Sequence, residues 1–144
     1  METLPAYAEI GVEREGEIAV VTMRRPERRN ALSLQMMREL ERALASLSNE
    51  QGVRAVILRG EGPAFCAGHD LRELRDRDAG AYATIFDACV DLMARIVEAP
   101  QPVIAEVARV ATAAGCQLVA ACDLAVASTE ASCATPGVRI GLFC

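Results

Sequence analysis

The order in which the apolar patterning changes along the chain constrains its fold more than any single residue does. Residues 7–14 alternate apolar and polar, and 17–23 carry the nearly continuous run Ile18-Ala19-Val20-Val21, so two strands joined at Glu15-Gly16 read as a hairpin. A charged loop, Arg24 to Asn30, follows. Ser33 is placed to cap a helix over 34–47, where Leu34, Met37, Leu40, Leu44 and Leu47 recur at three and four residues and make one apolar stripe. The next strand, 53–59, holds Val56-Ile57-Leu58 between Gly52 and Gly60. This β-β-α-β order points to an α/β fold.

Further on, residues 60–71 form a Gly-punctuated loop entering a short helix, and a longer helix over 81–98 has Ile85, Ala88, Leu92 and Ile96 on one face. Pro100 and Pro102 end it. A strand over 103–107, a small-residue helix over 113–121 and a strand over 124–127 complete the pattern, with no internal repeat and no low-complexity linker.

The chain has 144 residues, 52% of them hydrophobic, which suits one domain burying roughly 70% of its unfolded surface and excludes two full ones. Twenty-six residues are Ala, five are aromatic and none is Trp, so the core is built of small side chains that let backbones approach closely. Only five of the 35 charged residues lie in the last 44 positions, which predicts an interior final third. Ending on Ile140-Gly141-Leu142-Phe143-Cys144 without a polar tail is odd for a complete domain.

All fifteen basic residues are Arg, so Schiff-base chemistry and a Walker lysine are excluded. A net charge of −5 argues against a nucleic-acid partner, although a local Arg cluster still attracts an anionic ligand. The six cysteines (66, 89, 116, 122, 133 and 144) lack CxxC spacing, and one His leaves a metal short of ligands. They read as reduced, small hydrophobes. The first residues carry neither a basic nor an apolar leader region, and no run reaches the ~18 apolar residues of a membrane span. The resulting expectation is a soluble protein of the cytoplasm, with no membrane partner.

Two turns share one logic: Cys66-Ala67-Gly68-His69-Asp70 and Ala113-Ala114-Gly115-Cys116 each place a small, Gly-containing turn before a predicted helix. Helix N-termini offer unpaired N–H groups, so two such turns facing each other are able to hold a developing oxyanion. Plain turn chemistry is the alternative.

With three stretches in order, the chain resembles the crotonase, or enoyl-CoA hydratase/isomerase, superfamily. These are Arg25-Pro26-Glu27-Arg28-Arg29-Asn30-Ala31-Leu32, Phe65-Cys66-Ala67-Gly68-His69-Asp70-Leu71, and Ala113-Ala114-Gly115-Cys116-Gln117-Leu118 running on to Cys122-Asp123-Leu124-Ala125. The resemblance implies a crotonase-like spiral of β-β-α units, of which 1–144 would be the N-terminal, acyl-CoA-binding core without the C-terminal helical region. It implies an acyl-CoA thioester as substrate, with coenzyme A part of that substrate and no separate cofactor, and a homotrimer or hexamer. Carried over residue by residue, the oxyanion donors are the backbone N–H groups of His69 and Ala114. The adenine and pantetheine lie against Ala67, His69 and Leu71, and Glu27-Arg28-Arg29 lies by the CoA phosphates. For each Arg a solvated loop face is the alternative.

Departures from the family pattern bear on mechanism. The two glutamates that a hydratase of this family uses as base and acid align with Gln117 and Gly137, and neither transfers a proton. Ordinary hydration is therefore expected to be slow or absent. His69 has an imidazole suited to acid–base work, but its side chain is free to face solvent while its backbone acts. Asp70 and Asp123 read as residues that satisfy backbone groups, and Glu106 and Glu130 as second-choice acids. Cys66 and Cys116 flank the site without a base to activate them. Arg109 stands where the family commonly carries Gly, bringing bulk near the second turn. Three readings follow: an acyl-CoA-processing enzyme, a non-catalytic acyl-CoA binder, or an inactive truncated fragment.

Overall fold

The computed structural model describes residues 6–141. It opens with the expected hairpin, β1 (Ile10–Glu15) and β2 (Ile18–Met23) pairing antiparallel. A 3-10 turn at Pro26–Arg28 leads to α1 (Leu34–Ser48), β3 (Ala55–Gly60) and the short β4 (Ala64–Cys66). Then come α2 (Ala79–Glu98), β5 (Val103–Val107), β6 (Val110–Thr112) and α3 (Ala114–Ala121). β7 (Leu124–Ala127), β8 (Ser132–Ala134) and a second 3-10 turn, Pro136–Ile140, end the described chain.

The main sheet has the order β1-β2-β3-β5-β7, and every pairing after the hairpin is parallel. A second sheet, β4-β6-β8, is parallel throughout. Register puts Val21 beside Leu58 and Leu58 beside Ala105. With Ala19, Met23, Val56, Val103 and Val107 they make a sheet face that is fully buried. That face joins Met36, Leu40 and Leu44 of α1 and Ile85, Leu92 and Ile96 of α2 in one core.

Both long helices start on a side-chain cap. Ser33 Oγ accepts from the Met36 N–H at 2.9 Å, as its position predicted. Asp78 accepts from Ala81 N–H at 2.8 Å, which starts α2 two residues earlier than the apolar spacing alone indicates. A cap contributes about 1 kcal/mol, whereas burying one Leu contributes roughly 1.5–3. The buried stripe of α1 therefore sets the helix, and the cap sets its boundary.

Two expectations fail, and one feature has no counterpart in the sequence reading. The stretch after the Gly-punctuated loop is a series of turns over 71–76, not a short helix. Asp70 there accepts from the Arg72 N–H at 3.1 Å, and Asp76 takes φ +52°, so the chain turns instead of winding. The second sheet was not foreseen. Finally, the charge-poor last third is not interior: β7 and β8 are exposed along their whole length, and of the described residues after Cys122 only Gly137 is buried. Both are outermost strands, and nothing among the described residues covers their free faces. The terminal Leu142-Phe143-Cys144 lies outside the described residues. No helix among them is long and apolar enough to cross a membrane.

Candidate active site

The two turns singled out in the sequence meet. Leu32 forms an isolated parallel bridge with His69: the Leu32 N–H donates to Gly68 O at 2.7 Å, and the Asp70 N–H donates to Leu32 O at 3.0 Å. In that pattern the flanked residue, His69, turns its own N–H and C=O to the opposite side. Gly68 has φ +95°, and a Cβ built on it would stand 3.0 Å from Ala113 Cβ and 3.4 Å from Ala114 N. Only a glycine allows this approach. Ala114 is the first residue of α3, so its N–H has no acceptor inside the helix.

Ala113 carries the strain of the second turn, at φ +53° and ψ −123°, a region that L-residues rarely occupy. Neighbours fix it there. The Ala113 N–H donates to Ala134 O at 2.8 Å, its carbonyl accepts from the Cys116 and Gln117 N–H groups at 3.0 and 3.1 Å, and Thr112 Oγ1 donates to Ala67 O at 3.1 Å.

A cavity of about 610 Å³ opens over this junction. Its lining includes the Glu27-Arg28-Arg29 loop, Ala67, His69 and Leu71 of the first turn, and Ala113 and Gly137. Ala114 is buried, and Gln117 is exposed on α3 outside the lining, so of the two positions aligned with the hydratase glutamates only Gly137 lines the cavity. The Ala67 N–H already donates to Arg29 O at 3.0 Å. A groove of similar volume between α1 and α2 is lined by Arg38, Glu41, Asp87, Asp91, Arg95 and Glu98, charges of both signs with no convergent donors. It is not the candidate site.

Beneath the cavity lies a polar scaffold that sequence reasoning passed over. Asn30 is fully buried at φ +53° and ties three backbone segments together. Arg25 pairs with Glu9 at 3.2 Å and with Asp70 at 3.1 Å, and donates to Ala31 O at 2.6 Å. Arg72 Nη2 shares the same oxygen, Asp70 Oδ2, at 3.2 Å, and its Nε donates to Oδ1 at 3.3 Å. The only available signal was Asn30 itself, since Asn tolerates left-handed backbone better than other non-glycine residues.

Burial pushes the Asp70 carboxyl up, but hydrogen bonds from Arg72 and Arg25 outweigh it and hold its pKa below the ordinary value. A depressed carboxyl stabilises the fold above its unfolded pKa, about 3.9, and that stabilisation is lost as pH falls through the folded value. Asp70→Asn is therefore expected to lose about 1–2 kcal/mol in urea melts at pH 7, because Arg25 keeps Glu9. The gap between variant and parent closes as the melts move to acid pH. A gap that stays constant down to pH 3 would remove Asp70 from the account.

The remaining candidates are placed plainly. The His69 ring is not turned to solvent: it packs edge-on against Phe86, centroids 5.3 Å apart, with Nδ1 buried and no partner among the described residues. Burial pushes its pKa down. Asp123 ties β7 to β5, accepting from Val103 N–H at 2.8 Å. Glu106 and Glu130 are exposed, and Arg109 reaches away from the cavity to Glu130 at 3.4 Å. Burial pushes the Cys66 thiol up to about 12. No group of three or more metal-ligating side chains occurs among the described residues.

Residues 13–144 match the family described as enoyl-CoA hydratase/isomerase. The mouse protein named enoyl-CoA hydratase domain-containing protein 3, mitochondrial, is 46% identical over 125 residues, covering 86% of this chain and 42% of that protein. A solved enoyl-CoA hydratase of Mycobacterium smegmatis superposes with a TM-score of 0.91 at 45% identity, covering 95% of this chain and 54% of the other. The human enoyl Coenzyme A hydratase domain-containing protein 3 gives 0.90 at 41%, covering 95% and 55%. The chain spans about half the length of the relatives it matches, and its α/β fold is crotonase-like. The expectation of a cytoplasmic protein is overturned by the vertebrate relatives, whose names place them in the mitochondrion. The chain belongs to the enoyl-CoA hydratase/isomerase family.

Proposed function

We propose that the cavity takes an acyl-CoA thioester and polarises its carbonyl between the N–H groups of His69 and Ala114. The observation that supports this reading is the close approach of the Gly68-His69 and Ala113-Ala114 turns, one beside the Leu32–His69 bridge and the other at the first residue of α3. Fixed donors of this kind stabilise charge that develops on oxygen and so acidify the adjacent C–H. Arg28, Arg29 and Arg72 at the cavity wall are apt partners for the phosphates of coenzyme A, despite the chain's net charge of −5. Trimeric or hexameric assembly belongs to the same reading.

Water addition does not belong to it. The carboxylates among the cavity-lining residues are Glu27, on the outer loop, and Asp70, already held by two arginines. This favours a second reading, binding without turnover. Calorimetric titration with butyryl-CoA, alongside a crotonyl-CoA hydration assay, tests both. Binding is expected, with hydration slower than that of a glutamate-bearing hydratase by roughly 10²-fold or more, the usual contribution of a lost acid or base. Gly68→Val is expected to abolish binding while the fold persists in circular dichroism. An absence of binding sinks the proposal, and normal hydration sinks the argument from Gln117 and Gly137.

A further inference from the structure

Two cysteines, the first and last of an eighteen-residue stretch of sequence, are brought near each other by the fold. Cys133 is the central residue of β8 and stands in register with Ala111 of β6. Paired residues on adjacent strands point to the same face, and Ala111 is fully buried in the core that it shares with Ala114 and Leu118 of α3. Cys116 is the third residue of α3. The Ala113 N–H bond to Ala134 O fixes the start of that helix against β8. Together these bring the Cys116 side chain next to Cys133, near enough for Cys133 to act on the Cys116 thiol.

We propose that Cys116 and Cys133 form an oxidisable thiol pair that hydrogen peroxide converts to a disulfide, pinning β8 to the first turn of α3. Exposure assigns the order of events. Cys133 is exposed and meets the oxidant first, whereas Cys116 is half-buried. The Cys133 thiolate attacks one peroxide oxygen, the O–O bond breaks, and the departing hydroxide takes up the thiol proton, leaving a sulfenic acid and one water. Cys116 then attacks the Cys133 sulfur, the S–O bond breaks, and the hydroxide leaves with the Cys116 proton as a second water. Two thiols lose two electrons, and the peroxide receives them. Burial, and next Cys133, push the Cys116 thiol up, which suits the resolving partner better than the first attacker.

Its neighbours do not compete on the same terms. Cys66 and Cys89 are buried, and the Cys122 thiol donates back to Leu118 O at 3.3 Å. β8 leads through Thr135 into Pro136 and Gly137, which line the cavity, and α3 follows directly on Ala113, which lines it too. The disulfide therefore ties together the two segments that supply these lining residues.

The test needs no acyl-CoA, so its failure is separable from failure of the functional proposal. The chain is treated with hydrogen peroxide, remaining thiols are blocked with N-ethylmaleimide, and the protein is cut after Arg109 and Arg139. The peptide spanning 110–139 is expected to lose two hydrogens, with label on Cys122 only, and dithiothreitol should restore labelling of Cys116 and Cys133. In Cys116→Ser the internal bridge should be lost and Cys133 should carry added oxygen; Cys122→Ser should behave as the parent. Full labelling of both thiols after oxidation overturns the proposal, as does a bridge through Cys122 or over-oxidised Cys133 beside a free Cys116.

Discussion

Gly115→Ala is expected to destabilise the chain by about 3 kcal/mol or more, with a fall in Tm of roughly 10 °C. In a helix this exchange normally stabilises, by up to about 1 kcal/mol. Here the sign reverses because the new methyl would lie 2.1 Å from the Cys66 carbonyl oxygen and 2.8 Å from its carbon. Those are backbone atoms of β4 and have no rotamer to escape into. Accommodating the methyl means lifting α3 off β4, and with it the buried Ala114 and Leu118. Thermal melts followed by circular dichroism check this, with Gly80→Ala as the control. A Cβ at Gly80, in the first turn of α2, meets only Asp78 Oδ1 at 3.4 Å, so that variant should melt at or above the parent. Equal melting of both variants would mean that α3 does not approach β4 this closely.

Asn30→Ala should have the next largest effect, a loss of about 3 kcal/mol read as a lower urea midpoint at unchanged m-value. The Asn30 Oδ1 accepts from Arg25 N–H at 2.9 Å, and Nδ2 donates to Glu61 O at 2.8 Å and Ala64 O at 2.9 Å. Removing the amide leaves three backbone groups short of a partner where little or no water reaches, and alanine tolerates the φ of +53° less well than asparagine. Asn30→Gly separates the two causes, since it relieves the backbone but not the lost bonds. It is expected to recover only about 1 kcal/mol. Full recovery by glycine would assign the effect to backbone strain alone.

The elements visible in the sequence were those whose patterning is strong over several residues. The Leu34 to Leu47 spacing marks α1, and the runs around Val21, Val56 and Ile104 mark β2, β3 and β5. β4, β6 and β8 are three residues each, built of Ala, Cys, Phe, Val, Thr and Ser, too short to show a period of two. What makes them strands is mutual pairing, which no local pattern carries. The site divides the same way. Motif order led to His69 and the Ala113-Ala114 turn, but the mutual approach of those turns depends on Gly68 against Ala113, two loops far apart in the chain. The orientation of the His69 ring was open in the sequence for a related reason: its packing against Phe86 depends on where α2 lands. Low charge density misled in the opposite direction, because an apolar strand reads alike whether or not anything covers it.

The sheet order also fixes how the chain must be assembled in time. Only the β1–β2 hairpin joins neighbours; Val21 then waits for Leu58, Leu58 for Ala105, and Ala105 for Ala125. Each parallel pairing closes a long loop before any ladder bond compensates the lost chain entropy. During synthesis the hairpin and α1 emerge first, yet β2 keeps a bare edge until β3 follows, and the two turns of the cavity come together only once α3 has been made. The two turns therefore meet only after the hairpin, α1 and α2 have been made and residue 114 has been added.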